Sequence, residues 1–368
     1  MALLENLLRL TMVTQKQEQF KVSSSSGDYD VVISNNKELL ISNLNECKFF
    51  IADSFFKESF IFENIDKNNI FFVDASEDSK TLSFAEQIIH QMTLIKLSRD
   101  SKIAVIGGGI IQDVGGFIAS IYMRGIEYKL YPTTYLSMVD SCIGGKTSIN
   151  TKTAKNLLGT FYPPKEVFCF SDFCKTLNVD QINQGLVEAL KITFAYQKFF
   201  QETLKLTKDY NSNLLDICKL SLFSKKAIIQ EDEFDLGQRR LLNLGHTFGH
   251  SIEKASSHEI EHGYAVGLGI LIAKNFSSHE NLIKLSSNYD IEMACTAIKK
   301  LLPYRVFVSF SKMDMKIFFD SLESDKKHNN IYYRFILPIN NHIKEIEFEK
   351  KLFNLEEKFI PIIKQLHI

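Results

Sequence analysis

Residues 102–117 read KIAVIGGGIIQDVGGF, an apolar run that stops at three glycines and continues with helical spacing. A short run of aliphatic residues bounded by glycine reads as a buried strand. Gly107, Gly108 and Gly109 then form the turn. Glycine at such a turn permits positive φ and close approach of the backbone to a ligand. The free N–H groups at the start of the following helix suit a pyrophosphate. The segment is not a complete dinucleotide fingerprint, because Gly107-x-Gly109 would need a third glycine where Gln112 stands.

Outward from this turn, the same alternation recurs. VVIS (31–34), KFFIAD (48–53), NIFFVD (69–74) and KLYPTT (129–134) read as further buried strands, and residues 82–97 carry helical periodicity. Strands alternating with helices imply an α/β layer with a mainly parallel sheet. The serine-rich stretch 23–27 reads as a loop that follows an amphipathic N-terminal segment. Beyond about residue 170 the period changes. Residues 179–195, 213–231 and 247–254 are helical in pattern, and strand signals return only at IYYRFILPI near Ile331. The expected architecture is an α/β domain over 1–170 and a mostly α-helical domain over 171–368, a division that the length of 368 residues also favours.

The composition excludes several classes. A net charge of −1 gives no global attraction to nucleic acid or an anionic membrane. The six cysteines form no C-x-x-C pair, so neither a zinc ribbon nor a redox motif is expected. MALLENLLRL interrupts its apolar stretch with Glu5 and Arg9, unlike a signal peptide. The run from Tyr264 to Ala273 is half of what a membrane span needs. A cytoplasmic protein is expected. SCIGGKTS (141–148) imitates a phosphate-binding loop, but Asp140 occupies the place of its first glycine.

NLGHTFGHSIE places His246 and His250 four apart, and His262 follows in HGYAV. One reading pairs His246 with His250 in a zinc site, although Thr247 stands where H-E-x-x-H has its glutamate base. The other reading uses His246 with a distant ligand and frees His250 for acid–base work. Glu188 is then the best third ligand, with Lys191 one helical turn away on the same face. Arg124, Lys146, Lys155, Lys191, Lys225 and Arg239 lie beside small, apolar or amide-bearing residues. Such a set of cations suits a substrate carrying phosphate and carboxylate.

Read in order, GGG, D, MRG, PTT, VDSCIGGKT, KNLLGTF, GLVEALK, DE, NLGHTFGH, HGYAV and DKK span residues 53–327. This succession resembles the 3-dehydroquinate synthase family of sugar-phosphate cyclases. The resemblance implies an NAD-binding α/β domain and a helical metal-binding domain. Glu188, His246 and His262 resemble the ligands of one divalent metal, zinc or cobalt. His250 resembles a catalytic, substrate-contacting histidine. Arg239 and Asn243 match residues of the same pocket. Lys146, Asn156, Lys191, Lys225, Arg124 and Lys326 resemble substrate-binding groups. Asp53, Glu77, Lys80, Gly107–Gly109, Asp113, Thr133, Thr134, Asp140 and Thr176 match dinucleotide-holding positions, and Lys155 resembles a residue near both ligands.

The implied reaction converts 3-deoxy-arabino-heptulosonate 7-phosphate to 3-dehydroquinate and phosphate. It proceeds by transient oxidation by NAD, phosphate β-elimination, re-reduction and aldol closure, with no net oxidation. The implied assembly is a homodimer. The sequence departs from the family pattern at Tyr264, where HGEAV is common, and at Gln112, where GGGxxGD is common. GFIASIYMRGIEY and FYPP also resemble sister cyclases acting on sedoheptulose 7-phosphate. A metal- and NAD-dependent polyol dehydrogenase is the alternative from another class.

Overall fold

The computed structural model describes residues 17–152, 154–282, 289–340 and 342–366. The chain forms two compact units that divide between Leu177 and Asn178. The amphipathic N-terminal segment expected from the sequence lies outside the described residues.

The first unit contains β1 (Gln17–Val22), β2 (Tyr29–Ser34), α1 (Lys37–Leu44), β3 (Phe49–Asp53), β4 (Ile70–Val73), α2 (Leu82–Leu94) and β5 (Lys102–Gly107). It continues with α3 (Gly109–Ile121), β6 (Glu127–Pro132), β7 (Lys146–Ile149), β8 (Leu158–Phe161) and β9 (Glu166–Phe170). Seven strands make one sheet in the order β1-β2-β9-β6-β5-β3-β4. Every pairing in it is parallel except β1 on β2. The central strands are almost wholly apolar because helices cover both faces of such a sheet. Phe49 to Ala52 and Ile103 to Ile106 are accordingly buried.

The chain passes from β3 to β4 on one side and from β5 to β6 on the other. The two directions part between β3 and β5. An open parallel sheet takes its ligands at the carboxyl ends of the strands beside such a point.

The sequence reading missed β1, β7, β8 and β9. QEQFKV of β1 is a largely exposed edge strand without an apolar run. β7 and β8 pair only with each other. SCIGGKTS leads into strand β7 rather than a helix, so it lacks the helix start that a phosphate-binding loop requires. The helix expected over 82–97 ends at Leu94, and Lys96 takes a left-handed φ of 56°.

The second unit contains α4 (Val179–Tyr196), α5 (Phe200–Leu206), α6 (Tyr210–Glu231), α7 (His246–Ala255), α8 (His262–His279) and α9 (Tyr289–Leu301). It continues with α10 (Tyr304–Lys312), α11 (Met315–Glu323), the hairpin β10 (Tyr332–Ile339) and β11 (His342–Glu349), and α12 (Leu355–Leu366). A capping box of Asn178 and Gln181 starts α4. Helix α8 is apolar nearly all round and runs through the core, which explains its long apolar stretch. Phe276 of this helix packs against Phe335 and Phe359, which also meet Phe248. Among the described residues, no helix is long and apolar enough to cross a membrane.

Backbone proximity between α7 and α8 depends on glycine. Gly245 has φ +80°, and a Cβ there would lie 2.6 Å from the Val266 carbonyl oxygen. A Cβ at Gly269 would lie 2.1 Å from the Gly245 oxygen. The two helices therefore meet backbone to backbone.

Candidate active site

In the first unit the residues expected to hold a dinucleotide gather at the carboxyl end of the sheet. Asp53 ends β3 and caps the next turn by accepting from the Phe55 amide at 3.0 Å. Burial, reinforced by Asp74, pushes its pKa up. Thr133 and Thr134 follow β6; the Thr133 amide donates to the Gly107 oxygen at 3.2 Å. Asp140 lies in the helical turn Ser137–Ser141. Thr176 is exposed, and its hydroxyl donates to the Phe173 oxygen at 2.8 Å.

The glycine turn does not use the positive φ that glycine permits. None of Gly107, Gly108 and Gly109 has a positive φ. What they supply is space: a Cβ at Gly107 would fall 2.4 Å from Ile111 Cβ, and one at Gly108 would fall 2.9 Å from Thr134 Cγ2. Gly108 caps α3 without a side-chain acceptor, so the first amides of that helix point outward. Such a helix start favours an anion.

Lys80 organises a second set of these residues. Its ammonium is buried and donates to Asp113 Oδ2 at 2.7 Å and to Asn156 Oδ1 at 2.6 Å. Ser148 joins by donating to Asp113 Oδ2 at 2.9 Å. Burial pushes the Asp113 carboxyl up against the opposing pull of Lys80. Asn150 donates to Glu77 Oε2 at 2.7 Å and accepts from the Asn156 amide at 2.8 Å. Asn156, assigned to the substrate by resemblance, thus bonds directly with Lys80, which is assigned to the nucleotide. Ser148 and Asn150 were missed, although their i, i+2 spacing at the β7 end was a usable signal. Arg124, Lys146 and Lys155 are exposed, and Arg124 sits at a left-handed φ of 65°.

In the second unit, Glu188, His246 and His262 come together with one ligand atom each, all within 4.8 Å of one another. Glu188 comes from the middle of α4, while the two histidines are the first residues of α7 and α8. Glu188 is fully buried. Its Oε2 pairs with Lys191 Nζ at 2.5 Å. Its Oε1 lies 3.7 Å from His246 Nε2 and 4.0 Å from His262 Nε2, and has no hydrogen-bond partner.

Those gaps are too long for hydrogen bonds. They approach the separation of ligands that sit about 2.0–2.1 Å from a shared zinc ion. A buried carboxylate oxygen left without a donor is costly unless a cation coordinates it. The residues present therefore fit a divalent ion.

The other ring nitrogens settle which atoms face that position. His246 Nδ1 turns to the Leu244 oxygen at 3.4 Å, and His262 Nδ1 meets Glu253 Oε2 at 3.3 Å. An acceptor on Nδ1 fixes the ring and leaves Nε2 as the ligating atom. His250, Glu253 and His262 form a second group with ligand distances, but Glu253 already engages the outer nitrogen of His262. Glu253 therefore orients the His262 ring. The sequence reading missed it, although it follows His246 by seven residues on the same face of α7.

Burial, then the Lys191 charge, holds the His246 pKa well below the ordinary histidine value. Burial is the largest influence on His262 and opposes its charge, but the hydrogen bond and charge of Glu253 together with the charge of Glu188 outweigh it and raise that pKa. His250 has an edge open to solvent in crowded surroundings. Desolvation, then the Lys327 charge, lowers its pKa to about 4.

Lys225 and Arg239 are buried cations. Lys225 lies on α6, which packs on α4, and Arg239 lies in the turn Gln238–Asn243 that packs on both helices. Arg239 is held by its amide on Asp232 Oδ2 at 3.0 Å and by its guanidinium on the Glu233 oxygen. Asn243 closes the same turn. Lys326 is exposed, whereas the neighbouring Lys327 donates to Thr247 Oγ1 at 3.3 Å and its charge reaches His246 and His250. Two adjacent lysines cannot be told apart by sequence when only one points inward.

Solved cyclases share this fold of a parallel-sheet unit with a glycine turn at its switch point, followed in the chain by a helical unit. A 2-deoxy-scyllo-inosose synthase, solved with carbaglucose-6-phosphate, NAD+ and Co2+, shares it with a TM-score of 0.78 at 21% identity, covering 95% of this chain and 99% of that one. A 2-epi-5-epi-valiolone synthase from Streptomyces hygroscopicus, solved with NAD+ and Zn2+, gives 0.76 at 21%, covering 94% and 99%.

Residues 70–184 match the family model of the 3-dehydroquinate synthase N-terminal part, and residues 185–328 match that of its C-terminal part. The 3-dehydroquinate synthase of Campylobacter fetus is 38% identical over 74% of this chain and 79% of its own length. That of Clostridium tetani is 35% identical over 87% and 89%. The chain belongs to the 3-dehydroquinate synthase family.

Proposed function

We propose that the chain is a phosphate-eliminating carbon–oxygen lyase that converts 3-deoxy-arabino-heptulosonate 7-phosphate to 3-dehydroquinate, using NAD and one divalent ion, zinc or cobalt. The observation that carries this reading is the buried Glu188 oxygen facing two imidazole nitrogens beside Lys191. When bound, NAD supplies a reversible hydride transfer and the ion polarises an oxygen on the carbon being oxidised.

The chain's own residues do the rest. Glu188, His246 and His262 hold the ion, while Lys191 neutralises charge at Glu188. Glu253 holds a proton on Nδ1 of His262 and so keeps Nε2 free. With a pKa of about 4, His250 is neutral at pH 7 and is set to accept a hydrogen bond. Lys225, Arg239 and Lys327 offer positive charge to a substrate that bears carboxylate and a leaving phosphate. In the first unit, Lys80, Asp113 and the glycine turn bind the dinucleotide. Arg124, Lys146, Lys155 and Asn156 offer charge and an amide to anionic ligand groups.

The test is an assay of purified protein with catalytic NAD, zinc or cobalt, and each candidate sugar phosphate. Phosphate release from the heptulosonate without NADH accumulation supports the proposal. Release only from sedoheptulose 7-phosphate would move the chain to the sister cyclases. Steady NADH production would make it a polyol dehydrogenase.

A further inference from the structure

Helices α4 and α8 meet along a ladder. Asp180, Gln184 and Glu188 lie four residues apart and so share one face of α4. They receive, in reverse order, the third, second and first residues of α8. Tyr264 donates its hydroxyl to Asp180 Oδ1 at 2.7 Å. The Gly263 amide donates to Gln184 Oε1 at 3.3 Å, and a Cβ at Gly263 would lie 2.5 Å from Gln184 Cβ. His262 faces Glu188.

The far end of the ladder is clamped by Arg305 from α10. Its guanidinium donates to Asp180 Oδ2 at 2.9 Å and to both oxygens of Glu261, at 2.8 and 3.1 Å. Glu261 immediately precedes His262 and caps α8. The guanidinium carbon also lies 5.7 Å from the centre of the Tyr264 ring, within cation–π range. Each rung fixes either the depth or the rotation of the first turn of α8.

We infer that Tyr264, Asp180, Arg305 and Glu261 form a positioning network that sets the distance between His262 and Glu188, and hence the affinity and geometry of the divalent-ion site. Tyr264 is fully buried, so its ring cannot turn away without opening the helix contact. Arg305, Asp180 and Glu261 have partly exposed side chains, and such pairs contribute little to global stability. Their effect is therefore local. It falls on the placement of one metal ligand, since a residue that orients a ligand typically alters metal affinity about 10- to 100-fold. The inference rests on the Glu188–His246–His262 site proposed above.

The experiment titrates metal-free full-length protein with Co2+, following stoichiometry, affinity and the visible cobalt spectrum. Melting temperature of the metal-free protein is measured in parallel. Wild type should bind one Co2+ per chain. Tyr264→Phe and Arg305→Ala should each weaken Co2+ by about 10-fold and alter the band shape, with little change in metal-free melting. Arg305→Lys, which keeps the charge but not the fork, should recover only part of the loss. Wild-type affinity and spectrum in both variants would overturn the network while leaving the metal site standing. An affinity loss that merely tracks the fall in melting temperature would also overturn it. A wild type that binds no Co2+ would remove both readings.

Discussion

The helical unit and the α/β unit prepare charge in opposite ways. In the helical unit Glu188 and Lys191 are already out of water and paired, and the imidazoles beside them are held by outer partners. In the α/β unit most candidate groups stand at strand ends near solvent, and the start of α3 leaves its first amides without a side-chain cap, a place that suits an anion. Lys80 is the exception, buried with Asp113 and Asn156 on its ammonium. A site built from buried charge must be assembled by the fold before any ligand arrives. A site built from backbone amides at a helix start needs only that the chain leave room. The first should fail when a charge is removed, and the second when atoms are added.

Three measurements sharpen that contrast, taken from the largest expected effect. Glu188→Gln should abolish stoichiometric Co2+ binding, because it removes a ligand itself and not an orienting neighbour. It should also lower stability by about 3–5 kcal/mol, since Lys191 is left buried with an uncompensated charge. NAD affinity, followed by fluorescence titration, should not change. Retention of one Co2+ per chain would show that the buried carboxylate is not a ligand.

Gly108→Ala should act on the other unit alone. Its methyl would lie 2.9 Å from Thr134 Cγ2 at the point where α3 begins. We expect NAD affinity to fall about 10-fold, a change of about 1.4 kcal/mol, with the Co2+ titration unaltered. Unchanged NAD binding would place the nucleotide elsewhere.

The smallest effect concerns acid. The Tyr264 hydroxyl first, and Arg305 with it, hold the Asp180 pKa below its ordinary value. The folded state therefore binds fewer protons here than the unfolded state. The stabilisation is present above the unfolded pKa and is lost as pH falls below it and through the folded one, in the acid range under about pH 4. Because Asp180 is partly exposed, it amounts to tenths of a kcal/mol at most after screening. In Tyr264→Phe the slope of stability against pH in that window should be shallower. An identical slope would show that the hydroxyl does not stabilise the carboxylate.

Tyr264 also shows what motif reading can and cannot deliver. Its departure from HGEAV was visible in the sequence, but its meaning was not. A tyrosine hydroxyl bonded to Asp180 keeps the helix contact closed and needs no extra charge. Gln112 is similar: it is buried, and its Oε1 accepts from the Ser141 hydroxyl at 2.6 Å. The glycine turn was legible as a turn, whereas the reason for its glycines was crowding rather than left-handed backbone.

The sequence alone determined the alternation of strands and helices in the first unit, the helical period of the second, and the pairing of Glu188 with Lys191 on one face. These follow from spacings of two and about 3.6 residues, which neighbours along the chain impose on one another. Only the tertiary structure decided that His262 and His246 both turn Nε2 toward Glu188, that Lys327 rather than Lys326 points inward, and that Arg305 reaches Asp180 and Glu261. Those meetings join residues far apart in sequence. They depend on how closely α4, α7 and α8 can pack, a distance set by glycines and buried side chains and by no local pattern.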